Sequence, residues 1–244
     1  MVSVCIATYN GEKFIKKQLE SILKQLQKDD EVIVSDDAST DGTLDVIRSL
    51  NDERIKIFPH KKEVPNPKNV YIRSFMLATA NFEHAILQAK GDFIFLADQD
   101  DIWADTRVSS MLAALKENDF VMCNLSLVDD DDKVVLDRLY TKNPASSSFW
   151  TNLYRMPFRG CTMAFRASVL KGIVPFPPKC ICHDNWIGLC LSYKKCKFHY
   201  LLEPLHLYRT HAENVSPVVG KSPNGFFFKI GYRLRFLYYI ITRL

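Results

Sequence analysis

The sequence lacks a positively charged leader, and Met1 to Asn10 reads straight into an apolar strand with no cleavage-site pattern. It also lacks any apolar run near the ~20 residues that cross a bilayer. The expectation is a cytoplasmic chain that is not exported. No repeating cysteine framework is present: the seven cysteines, at 5, 123, 161, 180, 182, 190 and 196, are odd in number, which points to reduced thiols. Cys180, Cys182, His183, Cys190 and Cys196 have the composition of zinc ligands but no paired C-x-x-C knuckle. There is no internal repeat and no low-complexity segment. The chain has no G-x-G-x-x-G after its first strand, where Thr8-Tyr9-Asn10-Gly11 stands instead, so a dinucleotide-dependent oxidoreductase is excluded. The absence of a glycine-rich phosphate loop counts in the same way against a nucleotidyltransferase. Excess positive charge is missing from the body: the first 220 residues carry 27 basic and 28 acidic side chains. Nucleic acid, which is held by many distributed cations, is therefore not the expected partner.

What is present is 244 residues with 47% hydrophobic content, enough for one substantial core. The expectation is one α/β domain over 1–220 and a basic amphipathic tail over 221–244. Val2 to Ala7 is an apolar, β-branched run, followed by turn chemistry at Thr8 to Gly11 and a helical pattern through Ile15, Leu19, Ile22, Leu23 and Leu26. The unit repeats at Glu31 to Ser35, Asp36 to Gly42, and Val46, Ile47 and Leu50, with a strand near Ile55 to Phe58. Such alternation implies a parallel sheet with right-handed crossovers, whose ligands bind beyond the carboxyl ends of the strands. The turns at 8–11 and 36–42 should then share one crevice. Residues 59–79, with Pro59, Pro65 and Pro67 among lysines, read as an irregular surface insertion. A helix is expected over Asn81 to Ala89, a strand over Asp92 to Ala97, a helix over Asp105 to Glu117 and a strand over Phe120 to Leu125. Ser126 to Val135 reads as a hairpin around four aspartates. Asp129 to Asp132 lacks the glycine and terminal glutamate of a calcium loop, so a solvated turn is expected there.

Asp98, Asp100 and Asp101 crowd three like charges at a strand end, and each raises the others' pKa unless a cation offsets them. Hard oxygen ligands of this kind suit Mg²⁺ or Mn²⁺; a solvated acidic turn is the alternative. Asp36 and Asp37 form a second acidic pair, suited either to accepting hydrogen bonds from a base or ribose or to capping the next helix.

Three segments taken together carry a resemblance. Val4-Cys5-Ile6-Ala7-Thr8-Tyr9-Asn10-Gly11, Val34-Ser35-Asp36-Asp37-Ala38-Ser39-Thr40-Asp41-Gly42-Thr43, and Gly91-Asp92-Phe93-Ile94-Phe95-Leu96-Ala97-Asp98-Gln99-Asp100-Asp101-Ile102-Trp103 resemble family 2 glycosyltransferases of the GT-A fold. The Asp-Gln-Asp-Asp-Ile-Trp form is similar to the rhamnosyltransferase-type branch. The resemblance implies a Rossmann-like, mostly parallel sheet flanked by helices, with a C-terminal helical extension. It implies that Ala7, Thr8 and Tyr9 line the nucleotide base, that Asp36 and Asp37 lie in the donor site with Asp37 at the uracil or ribose, and that Asp98 and Asp100 form the metal motif. Gly160-Cys161-Thr162-Met163 resembles the strand shaping the acceptor side. His183-Asp184-Asn185-Trp186 resembles the motif whose aspartate is the catalytic base, which makes Asp184 that base. Tyr208 to Asn214 resembles the closing segment, with Arg209 and His211 toward the diphosphate or metal and His211 completing the coordination. The long, basic link between Pro59 and Asn81 departs from the family, and solvated charge is the reading for Lys68 and Arg73.

The implied activity is metal-dependent inverting transfer of a sugar from a UDP-, dTDP- or GDP-linked donor to an acceptor hydroxyl on a saccharide or lipid-linked acceptor, in bacterial surface polysaccharide biosynthesis. A nucleotide-sugar-binding module without catalysis is the non-enzymatic alternative, but the motif acids are all present. In the tail, Phe226, Ile230, Leu234, Leu237, Ile241 and Leu244 fall near one helical face, with Lys229, Arg233 and Arg243 on another. Two readings stay open for it: an anionic membrane surface, placing the protein peripherally on the inner face of the plasma membrane, or packing on its own domain or a partner subunit.

Overall fold

The computed structural model describes residues 1–60, 70–211 and 225–244, with the side chains of 70 and 71 set aside. Along the chain run β1 (Val2–Thr8), α1 (Ile15–Leu23), β2 (Glu31–Asp36), α2 (Thr43–Ser49), β3 (Ile55–Pro59), α3 (Val70–Gln88) and β4 (Phe93–Ala97). They are followed by β5 (Ile102–Trp103), α4 (Arg107–Leu115), β6 (Phe120–Val128), β7 (Val134–Leu136) and α5 (Phe149–Arg155). Last come β8 (Met163–Arg166), α6 (His183–Tyr193), β9 (Phe198–Arg209) and α7 (Phe226–Arg243).

The strands form one sheet in the order β3-β2-β1-β4-β8-β6-β9-β5, with β7 paired to β6. The β3-β2-β1-β4 part is wholly parallel. β8 runs antiparallel between β4 and β6, and β6 is parallel to β9. Strands covered on both faces read as near-continuous apolar runs, and β1 and β2 do so. Their side chains still alternate between two cores, as the pleat requires. Cys5, Ile33, Ile94 and Leu96 meet α3, α6 and α7 on one face. Val4, Ile6, Val32, Val34 and Phe95 meet α1 and α4 on the other. The buried residues of α1, Ile15, Leu19 and Ile22, follow the helical period that marked it in the sequence.

Two local expectations need correction. Helix α3 starts at Val70, so residues 70–79 are helical rather than irregular; the sequence signal was obscured because the segment opens with β-branched and aromatic residues. Residues 61–69, including Pro65, Pro67 and Lys68, lie outside the described residues, as do Ala212, Glu213 and Asn214 of the closing segment. The aspartate hairpin is the exposed turn expected, and its acids find partners: Asp130 accepts from Lys13 Nζ at 2.7 Å, and Asp132 pairs with Lys17 and Arg209. Gly160–Thr162 forms a 3-10 turn ahead of β8 rather than part of a strand.

The tail also divides differently from its sequence pattern. Phe236 and Ile240 of α7 are buried, with the Phe236 ring 5.8 Å from Trp186 of α6, while Phe227, Ile230, Leu234, Tyr238 and Ile241 are exposed. Arg233 and Arg243 donate to backbone carbonyls of Tyr154 and Pro175. No helix among the described residues is long and apolar enough to cross a membrane.

Candidate active site

The parallel strands β1, β2 and β4 end on one edge of the sheet, and their following turns are joined there. Thr8 Oγ1 donates to Asp36 Oδ1 at 3.0 Å, and the Asp37 amide donates to the Thr8 carbonyl at 2.9 Å. The Asn10 amide donates to Ser39 Oγ and the Thr40 amide to Asn10 Oδ1, both at 2.9 Å. Asn10 and Ala38 hold positive φ, of 49° and 59°, at the tight corners this requires. The Gln99 side chain binds both backbone groups of Tyr9, at 2.9 and 3.1 Å. Gly11 permits that approach, since a Cβ there would lie 2.4 Å from Gln99 Oε1. The turns at 8–11 and 36–42 therefore adjoin as expected, with Ala7 half-buried and Tyr9 exposed beside them.

The two acids after β2 are used differently. Asp36 accepts from Thr8 Oγ1, the Ser39 amide and Ser39 Oγ, which fixes the turn itself. Asp37 Oδ1 lies 3.1 Å from His60 Nδ1, and the His60 ring lies 5.0 Å from that of His84, whose Nδ1 is 2.8 Å from Ser35 Oγ. Burial, followed by the charge of His60, lowers the pKa of His84.

The three acids after β4 also separate by role. Asp101 is buried; its Oδ2 lies 2.7 Å from His206 Nε2, and its Oδ1 accepts the Arg209 amide at 2.9 Å. Arg107, fully buried over the Trp103 ring at 4.2 Å, donates to His206 Nδ1 and to the Cys161 carbonyl. A guanidinium only donates, so Nδ1 is the acceptor and Nε2–H donates to Asp101. Burial and then Arg107 hold His206 well below the ordinary histidine range, consistent with a neutral ring. Asp101, Cys161 and His206 are close enough to hold a metal ion as a group. Both ring nitrogens are already committed, however, and a fixed cation stands beside them, so this trio acts as a structural clasp.

Asp100 points the other way, with its Oδ2 3.0 Å from His211 Nε2. Asp98 is half-buried, and its carbonyl accepts from Gln18 Nε2 at 2.9 Å. Its carboxyl is pushed well above the usual range by burial and then by the charges of Asp101, Asp100 and Asp184, against a smaller opposing effect of Arg107. A divalent cation relieves such a surplus of negative charge; Asp100 and His211 already lie side by side, whereas Asp98 does not join them in a three-ligand cluster among the described residues.

Asp184 comes from a different part of the chain. It occupies the first turn of α6, where the helix N-terminus favours negative charge. Its Oδ1 accepts the Asn185 amide at 2.7 Å, and its Oδ2 accepts the Gly160 amide at 3.4 Å. His183, stacked on Phe82 at 4.0 Å, abuts Gly160, where a Cβ would lie 2.6 Å from His183 Nε2. The charge of Asp184 is among those that raise the Asp98 pKa, after burial and the charges of Asp101 and Asp100.

Arg209 serves the acid loops directly. Its Nε donates to the Asp100 carbonyl at 2.9 Å, its Nη1 donates to the carbonyls of Asp129 and Asp130 at 3.1 Å, and its guanidinium lies 4.7 Å over Phe14. Sequence reasoning missed Gln18, Arg107 and His206. None sits in a motif, and the contacts of Arg107 and His206 join residues about a hundred positions apart, so no local signal marked them.

The profile described as Glycosyl transferase family 2 matches residues 3–173. A dTDP-rhamnosyl transferase of Shigella flexneri is 27% identical over 86% of this chain and 72% of its own. An uncharacterized glycosyltransferase of Nostoc is 25% identical over 87% of this chain and 66% of its own. A UDP-Glc:α-D-GlcNAc-diphosphoundecaprenol β-1,3-glucosyltransferase of Escherichia coli is 36% identical over 46% and 40%. The chain thus spans less than two thirds of the length of the last two relatives. Among solved structures, Staphylococcus aureus TarS 1–349 with UDP-GlcNAc superposes with a TM-score of 0.69 at 21% identity, covering 97% of this chain and 66% of that one. The mannosyltransferase PcManGT of Pyrobaculum calidifontis, with GDP-Man and Mn²⁺, gives 0.60 at 18% identity, covering 88% and 58%. The mixed sheet and these neighbours identify the fold as GT-A.

Proposed function

The chain belongs to glycosyl transferase family 2, and from that premise we propose that it moves a sugar from a nucleotide-diphosphate donor to an acceptor hydroxyl with inversion at the anomeric carbon. The donor's base and ribose lie in the crevice of Ala7, Thr8, Tyr9 and Asp37, and Asp36 keeps the turn that shapes it. Asp98, Asp100 and His211 are the residues that would hold Mg²⁺ or Mn²⁺. An ion held there would supply positive charge to offset that of the departing diphosphate. Arg209 acts through the acid loops it braces, holding Asp100 in place.

Asp184 removes the acceptor's proton. As the acceptor oxygen bonds to the anomeric carbon, the bond from that carbon to the diphosphate oxygen breaks, the nucleoside diphosphate departs, and the proton passes to the Asp184 carboxylate. One displacement from the opposite face inverts the configuration. The observation that supports this reading is the placement of Asp184 in the first turn of α6, its carboxylate against the Gly160 amide, together with the pairing of Asp100 with His211 beyond the end of β4.

The names of the relatives supply the setting. Relatives that act on diphosphoundecaprenol-linked sugars, and the dTDP-rhamnosyl transferase, support a lipid-linked or saccharide acceptor in bacterial surface polysaccharide synthesis, at the cytoplasmic face of the membrane. Thermal unfolding of the wild type and Asp100→Ala with UDP-, dTDP- and GDP-sugars, with and without Mn²⁺, tests the donor site. The expected result is a metal-dependent rise in Tm with one nucleotide that Asp100→Ala loses. No rise with any donor in folded protein refutes the donor site. A rise without sugar transfer to any acceptor leaves a nucleotide-sugar-binding module instead.

A further inference from the structure

Helix α7 carries two apolar faces, and only one is used. Tyr232, Phe236 and Ile240 turn toward the core, against α6. On the outer side Phe227, Ile230, Leu234, Tyr238 and Ile241 succeed one another at three- and four-residue steps and stand in solvent, Phe227 87% exposed and Leu234, Tyr238 and Ile241 about 60%. A helix that only packed on its domain would carry polar residues there. Helix α5 lies beside α7, with Arg233 donating to the Tyr154 carbonyl at 2.8 Å, and it too carries exposed aromatics. Trp150 and Tyr154, one helical turn apart on α5, are 65% and 78% exposed. An outward apolar patch of this size, rimmed by polar groups, marks an interaction surface.

The charge around the patch selects the partner. Helix α7 carries Lys229, Arg233, Arg235 and Arg243, α5 carries Arg155, and neither helix contains an acid. Arg235 is exposed at the edge of the stripe, next to Leu234. A second copy of this face would set cation against cation, whereas an anionic surface would complement it. Aromatic rings between an apolar floor and a cationic rim are also the composition that settles at a lipid headgroup boundary.

We infer that the outer stripe of α7, with Trp150 and Tyr154 of α5, is a docking surface for an anionic lipid bilayer, on which α7 lies in the plane of the interface. Its 18 residues make a rod of about 27 Å. The rod is held to the segment that leads into Asp184: the Arg243 guanidinium binds the Pro175 carbonyl at 2.8 Å, and α7 packs on α6, which carries Asp184. Docking through α7 therefore presents the acceptor half of the cleft to the membrane. This orientation rests on the proposed lipid-linked acceptor, while the docking itself does not.

The test is co-flotation of the whole chain with phosphatidylcholine vesicles made with and without phosphatidylglycerol, at low and high salt, beside the donor-induced Tm rise on the same samples. The wild type should float with the anionic vesicles only, and salt should weaken it. Phe227→Ser/Leu234→Ser/Ile241→Ser and Arg235→Glu should each reduce binding by about tenfold or more, with the Tm and the donor response unchanged because these side chains face solvent. Wild type that floats with neither vesicle overturns the inference, as does a triple variant that floats like wild type. A stripe substitution that converts a dimer to a monomer in sedimentation also overturns it, assigning the face to a second copy. Flotation without any donor response refutes the transferase reading and leaves the docking surface standing.

Discussion

The two halves of the site, which we assign to donor and acceptor, are built by different means. The donor half uses strand ends that lie side by side in a parallel sheet, so Thr8, Asp36 and Ala97 reach one edge by topology alone, and short polar side chains join the turns that follow. The acceptor half uses antiparallel β8, a 3-10 turn and the first turn of α6, held by ring stacking and apolar packing. The first design concentrates its chemistry in contiguous motifs. The second spreads single residues over long distances along the chain and leaves apolar surface facing outward.

The two halves should also fail differently. Asp184→Asn should lower kcat by about 10²–10⁴-fold while leaving the donor-induced Tm rise intact, if Asp184 serves the acceptor as proposed. Asp100→Ala should remove the donor response first. Steady-state kinetics beside thermal shifts separate the two, and an Asp184→Asn enzyme of wild-type kcat removes Asp184 from the role of base.

That contrast explains what could be read in the sequence. The alternation of strands and helices was legible through β4 because parallel, doubly covered strands leave runs such as Val2 to Ala7, and the acids mark their ends. The resemblance supplied Asp184. The three acids at 98–101 read as equals, yet the fold buries Asp101 against His206 and leaves Asp100 beside His211. Nothing local in Arg107 or His206 announces that clasp, which exists only once β9 lies beside β5. The second face of α7 was hidden in the same way: the stripe through Phe226, Ile230, Leu234 and Ile241 was visible, but Phe236 and Ile240 on the other side become a core face only against Trp186.

Arg107 is where the halves are joined, so it offers the sharpest test of their independence. It holds His206 of β9 and the Cys161 carbonyl of the acceptor-side turn, and its charge opposes the crowding of Asp98 and Asp101. Removing one member of a buried charged cluster leaves the others uncompensated, at a cost of about 3–5 kcal/mol. Arg107→Met should therefore lose stability on that scale in urea unfolding, and Arg107→Lys should recover only part because it lacks the planar fork. A wild-type midpoint for Arg107→Met would mean that the halves are held together elsewhere.

The smallest effect belongs to the donor half alone, at the opposite end of its sheet. Glu31, at the start of β2, is buried; its oxygens accept from Ser3 Oγ at 2.6 Å, from the Lys90 amide at 2.7 Å and from Lys56 Nζ at 2.7 Å. Burial alone would raise its pKa, but the hydrogen bonds from Lys56, Ser3 and Lys90, with the Lys56 charge, outweigh it and lower the value. A carboxylate whose folded pKa is depressed binds fewer protons in the folded state. Its contribution is present above the unfolded value of about 4.3 and is lost as pH falls through the folded value. Glu31→Gln should therefore destabilise by about 1–3 kcal/mol at neutral pH, and its deficit relative to wild type should shrink as urea midpoints are followed into acid. Because Glu31 touches only β1, the β4 approach and β3, its loss should leave the Asp184 side untouched: kcat at saturating donor stays at the wild-type value in folded protein. A deficit that holds constant down to strongly acidic pH would show that the carboxylate's charge is not what ties this end of the sheet.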